Sequence, residues 1–378
     1  MPQADVVIVG AGAAGLSAAG ALQKLGIDAV LLEQDSQPGG TWARRYDRLH
    51  LHTVRKHSGL AHYPIPRGRG RYLARDEYVA YLQDYARHFK LDIVADCAVT
   101  KIRMEPGTPV RWRITGATTE WETPVVVIAV GQYGVPRMPF LPGLENFTGE
   151  LIHSVDYRNA SPFAGKRVLV VGAGNSGAEI ATDLIDNGAS FVAISVRTPP
   201  PIVPRDPFGQ PVQRTSMLLS RLPPRIADRI GKFTARLVFG DLTRHGFPAA
   251  DWRPYSSRRV PVIDVGFVDA LKKGRVQVRA TLVRLTETQA VFADGQTESF
   301  DAIIAATGFS TGLASLIEPT TALDADAEPV THSGEPTASP GLYFIGYTHS
   351  LRGHLFEANL DSRRLAVNVA TYLKAPVA

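Results

Sequence analysis

Two stretches of this chain carry the same phrase. VVIVGAGAAGLSAAG begins at Val6 and VLVVGAGNSGAEIA at Val168, each an apolar run leading into G-x-G-x-x-G and then a helix-forming sequence. Nothing else in the sequence limits the fold so tightly. The apolar run reads as a buried strand. The first glycine, Gly10 or Gly172, permits a tight turn. The second, Gly12 or Gly174, lets the backbone approach a pyrophosphate. The third, Gly15 or Gly177, lets the helix pack closely on the strand. The helix start adds free N–H groups and the positive end of the helix dipole, which suit phosphate. The expected fold class is α/β, with two Rossmann-like dinucleotide-binding domains of the three-layer ββα type.

The two units differ at the end of their second strand. AVLLE closes the first with Glu33, 33 − 10 = 23 residues past the first glycine, where a ribose-binding carboxylate belongs. FVAISVR closes the second with Arg197, 197 − 172 = 25 residues on, and has no acid. A carboxylate there would repel a 2′-phosphate, whereas an arginine would pair with it. The first unit therefore reads as a site for FAD and the second as a site for NADPH, with Arg205 a weaker second candidate for the phosphate. A flavin facing a nicotinamide implies hydride transfer between them.

The apolar strand PVVVIAVG (124–131) leads into the Pro- and Gly-rich QYGVPRMPFLPG, and DAIIAATGF (301–309) ends in a similar glycine turn. Both read as crossings between domains. The NADPH domain, 160–295, is then inserted into a discontinuous FAD domain, 1–155 plus 300–378. A β-meander is expected over 98–121, and a helix over 75–90 with Tyr78, Leu82, Tyr85 and Phe89 on one side. The proline-dense stretch 198–214 reads as loop. A helical excursion at about 215–250 follows, split at Pro223–Pro224, with an arginine and leucine pattern that suits either a cover over the site or a membrane surface.

The single cysteine, Cys97, excludes an internal disulfide and a CxxC pair. No secretory signal or apolar run of membrane-spanning length is present, so a cytoplasmic enzyme is expected. The formal charge of +5 over 378 residues fits phosphate-bearing cofactors, and no nucleic acid is called for. No metal cluster is expected, and the oligomeric state is open, with a homodimer as one option.

Between the two glycine turns lies FTGELIHSVDY, with Phe147, Gly149, His153 and Tyr157 at the spacing F-x-G-x-x-x-H-x-x-x-Y. This resembles the identifying motif of the flavin-containing monooxygenases. GGTW at 39–42 and AATGF at 305–309 resemble two further phrases of that family. YDRLHLH (46–52), RLVFGDLTRHGF (236–247), VPVIDVG (260–266) and GQTESFDAIIAATGF (295–309) look like its YUCCA-type branch, which converts indole-3-pyruvate to indole-3-acetate. Baeyer–Villiger monooxygenases are similar but usually carry Trp where this chain has Tyr157.

The resemblance implies NADPH reduction of FAD, a flavin C4a-(hydro)peroxide, and transfer of one atom of O2 to a small substrate. Heteroatom oxygenation and 2-keto-acid decarboxylation both remain open. A flavin-dependent reductase or oxidase, or a redox sensor binding both dinucleotides, is the alternative of another class. The linker motif would join the domains, with Phe147 and Tyr157 buried against the two of them and His153 reaching a ribose or a backbone carbonyl. His52, aligned through Tyr46, takes the place of an Asn near the flavin and is a candidate to donate to the peroxide or accept its proton. Asn359 is the second catalytic candidate, on a last helix whose start would face the flavin, with His354 and Asp361 nearby. Cofactor-binding candidates are completed by Ala14, Gly40, Thr41, Trp42, Val99, Gly131, Asn175, Ser176, Thr307 and Gly308. The arginine-rich segment 44–75 reads either as a solvated face or as a field that steers a carboxylate.

Overall fold

The structure is a computed structural model that describes residues 2–107, 110–117, 119–257 and 260–374. Residues 1 and 375–378, assigned by the sequence to the first domain, lie outside the described residues. The chain divides into two compact units. One comprises Met1–Arg44, Thr53–Val135 and Phe309–Ala378, the other Arg45–His52 and Pro136–Gly308.

In the first unit, five parallel strands run in the order Leu342–Phe344, Val125–Ile128, Val6–Val9, Val30–Leu32, Asp92–Val94. Val6–Val9 and Val125–Ile128 are buried along their whole length. That is why both read as unbroken apolar runs rather than alternating ones. The helix Ala13–Gln23 lies beside the C-terminal helix His354–Lys374, and the small residues on its surface let them meet closely, with Ser17 Oγ 2.8 Å from Ser362 Oγ. The meander Val99–Glu105, Arg111–Gly116, Glu120–Thr123 is antiparallel, as expected. Its Trp112 packs with Val126, Ile128 and Phe344, and the indole N–H donates to the Pro340 carbonyl at 2.9 Å. Helix Arg75–His88 buries Tyr78, Tyr81, Leu82 and Tyr85.

The second unit repeats the plan. Five parallel strands run in the order Val276–Arg279, Phe191–Ser195, Arg167–Val171, Ala302–Ala305, Glu150–His153. The helix Asn175–Asp186 follows the second glycine turn, and a three-stranded antiparallel sheet is formed by Leu282–Leu285, Gln289–Phe292 and Thr297–Ser299. Two helices, Val212–Leu219 and Pro224–Phe239, flank the expected break at Pro223. The stretch 198–214 read as loop is therefore corrected, since it holds the start of the first helix, just after Pro211, and the strand Ile202–Pro204, which pairs in parallel with Val262–Asp264.

The unit boundaries differ from the expected 155 and 300. Glu150–His153 and Ala302–Ala305 pair in parallel, and the latter pairs with Arg167–Val171. Their backbone hydrogen bonds thus belong to the second sheet. The octapeptide Arg45–His52 also belongs to the second unit.

Candidate cofactor-binding sites

Each glycine turn is built to the same dimensions. A Cβ on Gly10 (φ +103°) would stand 2.7 Å from the Ala129 carbonyl oxygen, and one on Gly172 (φ +104°) 2.5 Å from that of Ala306. A Cβ on Gly15 would meet the Gly10 carbonyl oxygen at 1.9 Å, and one on Gly177 the Gly172 carbonyl oxygen at 1.9 Å. Side chains are sterically barred at these four positions. Gly12 and Gly174 are different, because a Cβ there would meet nothing within 4 Å. Glycine at those two places keeps a space clear in front of a helix start, where a pyrophosphate fits.

In the first unit, Glu33 is buried, and its carboxylate accepts from Ala11 N at 2.6 Å and Asp35 N at 3.0 Å. Burial raises its pKa above the ordinary carboxylate value, against the pull of those two backbone donors. Each oxygen retains a further lone pair for a ribose hydroxyl. The GGTW phrase forms the short helix Gly40–Ala43, fixed to the turn by Gly39 N donating to Ala11 O at 3.1 Å. Trp42 meets Tyr78 edge-on at 4.9 Å, and a Cβ on Gly40 would collide with the Asp35 carboxylate. Thr41 is exposed. Val99 lies two residues past Cys97, whose N donates to the Glu33 backbone O at 2.7 Å. Gly131, at φ +81°, opens onto free space. The sequence missed Gly346, whose carbonyl accepts from Gln132 Nε2 at 3.1 Å. A Cβ at that position would stand 2.8 Å from the Ala14 methyl, so there is room only for hydrogen.

Asn359 is occupied internally. Its amide donates to Gly59 O at 2.7 Å and its carbonyl accepts from Arg363 Nε at 3.1 Å. Asp361 accepts from the Thr348 hydroxyl at 2.6 Å, and burial raises its pKa. Burial lowers that of His354, the first residue of the last helix.

In the second unit, Asn175 holds the VPVIDVG phrase against the glycine turn. Its amide donates to Pro261 O at 3.1 Å and its carbonyl accepts from Ile263 N at 2.9 Å. Ser176 is half-buried beside it. Arg197 is exposed and makes no ion pair among the described residues, whereas Arg205 is half-buried and lies 3.3 Å from Asp206.

The linker motif resolves into four contacts, all within this unit. Phe147 packs beside Leu169, Phe300 and Ile303. A Cβ on Gly149 would stand 2.5 Å from the Phe147 ring and 2.7 Å from the Asp301 carbonyl oxygen, so only glycine lets that edge strand close. His153 Nδ1 accepts from Val155 N at 3.2 Å, which leaves Nε2 as the donor to Gly308 O at 3.2 Å. Burial holds its pKa below the usual histidine value. His153 thereby ties the motif to the A-T-G-F turn, where Thr307 donates to the Arg137 carbonyl and Arg137 N donates to Gly308 O at 3.0 Å. Tyr157 is buried, donates to Asp183 Oδ2 at 2.6 Å and stacks on Phe163 at 5.8 Å. The expectation that Phe147 and Tyr157 bury against two different domains is therefore corrected. Both sit in the second, because the motif's strand is that sheet's edge.

The segment YDRLHLH forms a clasp on the helix Asn175–Asp186. Glu179, Asp183 and Asp186 stand at i, i+4 and i+7 on one face. His52 Nε2 lies 2.8 Å from Glu179 Oε1, and Arg48 lies 3.6 Å from Asp183 and 3.5 Å from Asp186. Burial, then the charge and hydrogen bond of Glu179, push the Tyr46 phenol far above its usual pKa. A cavity of about 510 Å³ is lined by Arg48, Glu179, Asp183, Asp186 and Arg205. His52 belongs to the second unit, where its Nε2 faces Glu179 on that unit's helix. Its Nδ1 is buried without a hydrogen-bond partner among the described residues. The basic segment is largely internally engaged as well. Arg44 pairs with Asp35, Arg55 donates to the carbonyls of Ile65 and Pro66, and Arg69 and Arg75 pair with Glu77 and Asp76.

Residues 7–202 match the family described as pyridine nucleotide-disulphide oxidoreductase. The disulphide half of that description has no pair of thiols here, since Cys97 is the one cysteine and is buried. Indole-3-pyruvate monooxygenase YUCCA6 of Arabidopsis thaliana is 34% identical over 377 residues, covering 96% of this chain and 89% of the relative. The YUCCA8 enzyme of Oryza sativa subsp. indica is 32% identical, covering 96% and 90%. A solved flavin-containing monooxygenase of Stenotrophomonas maltophilia is 26% identical with TM-score 0.74, covering 99% of this chain and 100% of that one. This chain belongs to the flavin-containing monooxygenases. Its relatives on the YUCCA side span nearly its whole length, and it is a flavin-dependent monooxygenase. A bacillithiol disulfide reductase of Staphylococcus aureus, at 15% identity and TM-score 0.73, shares the fold alone. Among the described residues no helix is long and apolar enough to cross a membrane.

Proposed function

We propose that this monooxygenase binds FAD in the first cradle and NADPH in the second, and acts on a small 2-keto acid of the indole-3-pyruvate type. The observation that carries the reading is the asymmetry between two otherwise matching cradles. One is closed by the buried Glu33 and the other ends at the exposed Arg197, which has no ion-pair partner among the described residues. A pyrophosphate cradle calls for a dinucleotide, hence FAD rather than a flavin mononucleotide. Glu33 would accept the ribose hydroxyls of that nucleotide. Arg197 would pair with the 2′-phosphate that distinguishes NADPH from NADH. When bound, the flavin supplies the electrons that activate dioxygen. His153 would keep the Thr307–Gly308 turn in position over the second site, and His52, oriented by Glu179, would offer its free Nδ1 to a bound group. Asn359 would act by holding the Gly59 loop rather than by proton transfer.

The substrate class rests on relatives named indole-3-pyruvate monooxygenases at 34% and 32% identity. The balanced reaction is R–CO–COO⁻ + O2 + NADPH + H⁺ → R–COO⁻ + CO2 + NADP⁺ + H2O. The C–C bond between carbonyl and carboxylate breaks, one oxygen atom enters the new carboxylate and the other leaves as water. The test is turnover of indole-3-pyruvate under ¹⁸O2 with NADPH. One labelled oxygen in indole-3-acetate, with CO2 matching the NADPH consumed, is the expected result. Hydrogen peroxide equal to the NADPH consumed, with no label in any product from a keto acid or a thioether, would overturn the reading.

A further inference from the structure

A surface helix ordinarily turns its apolar side inward. The helix Pro224–Phe239 does the reverse. Ile226, Ile230, Phe233 and Leu237 follow at steps of four, three and four, so they form one row. They are 47%, 39%, 69% and 62% exposed. The inward face consists instead of Ala227, Asp228, Ala235 and Phe239. Asp228 is what pins it there, with its carboxylate accepting from Tyr255 N at 2.8 Å and Ser256 N at 3.2 Å. At about 100° per residue the apolar row points away from this anchor face. Leu218 and Leu222, just before the helix, are exposed as well. Single exposed apolar residues need no explanation, but a continuous row of this kind marks a contact surface.

A second row runs alongside. Arg225, Arg229, Lys232 and Arg236 lie about a quarter-turn from the apolar row, and none stands within salt-bridge distance of an acid among the described residues. Residues 212–239 carry Arg214, Arg221 and these four against the single acid Asp228, a balance of 6 − 1 = +5. The whole chain has a formal charge of +5, so this one segment holds its entire excess.

We propose that the segment 212–239 docks the protein on an anionic lipid surface, with the apolar row in the acyl boundary and the basic row on the headgroup phosphates. A helix with one apolar face and a lysine- and arginine-rich flank is the form that lies in a bilayer interface. A second copy of the chain is the poorer occupant, because a two-fold contact through this face would oppose two patches of like charge. Nucleic acid would use the basic row and leave the apolar one in water.

The test is flotation with vesicles of phosphatidylcholine containing about 30% phosphatidylglycerol, beside vesicles of phosphatidylcholine alone. The holoenzyme floats with the first and not the second, and high salt weakens it. Phe233→Asp with Leu237→Asp, and separately Arg225→Glu with Arg229→Glu, lower the bound fraction by about tenfold or more. Far-ultraviolet circular dichroism and NADPH-driven flavin reduction stay at wild-type levels in both. Equal flotation of wild type and the Asp variant overturns the proposal, as does absence of flotation. A concentration-dependent dimer that the Asp variant abolishes, without vesicle binding, assigns the row to a second copy and overturns it too.

Discussion

Replacing Arg197 with Ala tests the asymmetry on which the cofactor assignment rests. The guanidinium stands two residues past the strand Phe191–Ser195, exposed and without an acidic partner among the described residues. Its removal therefore exposes no orphaned carboxylate, and stability should be unchanged. A hydrogen bond to a charged group contributes about 1.5–3 kcal/mol. Exposure to solvent and salt puts Arg197 at the lower end, about 1.5 kcal/mol. At about 1.4 kcal/mol per tenfold, the apparent Kd for NADPH should rise about tenfold. NADH has no 2′-phosphate, so its Kd should move by less than about twofold. Arg197→Lys keeps the charge but loses the planar fork, and should fall between the two. The assay is anaerobic flavin reduction over a series of nucleotide concentrations, at low and high salt, with the NADPH preference shrinking as salt rises. Equal losses for NADPH and NADH would refute the reasoning, and so would a selective loss in Arg205→Ala with none in Arg197→Ala.

Three further outcomes are expected. Gly177→Ala should leave a yellow protein whose reduction by NADPH is at least about tenfold slower, because the added Cβ would meet the Gly172 carbonyl oxygen at 1.9 Å; flavin content and stopped-flow reduction separate the two effects. Tyr157→Phe removes the donor to the buried Asp183 and should lower unfolding stability by about 1–3 kcal/mol in a denaturant titration. The folded-state pKa of His153 is depressed by burial, so the unfolded chain takes up a proton first as pH falls; stability should be full above about pH 6.5 and decline below it, with a smaller decline in His153→Gln measured by denaturant midpoints across that range.

The glycine cradles were legible in the sequence because their cause is local. Gly15 packs against Gly10, and Gly177 against Gly172, within a few residues of chain. The meander and the tyrosine-faced helix were legible for the same reason, since alternation and helical spacing are properties of one segment. Partners distant in sequence were not. FTGELIHSVDY revealed that something was fixed there, but not that His153 answers to Gly308 or Tyr157 to Asp183. YDRLHLH reads as part of a basic run until the acids at 179, 183 and 186 supply its counterpart. That stripe was itself visible in the sequence, at helical spacing just beyond the second turn, and was the available clue. The domain limits slipped where two short parallel strands, 150–153 and 302–305, find their pairing across more than a hundred residues of intervening chain.

The clasp at 45–52 has a consequence for how the molecule can be cut. A fragment spanning 136–308 would hold every strand of the second sheet, yet it would lack Tyr46, Arg48 and His52. Glu179 and Asp183, buried in the intact chain, would then face water or each other with fewer counterparts. During synthesis the same octapeptide emerges long before the helix it grips and has to wait, tethered, for its target. Excising this lobe successfully would call for a rewired chain in which the octapeptide is grafted back by a short tether.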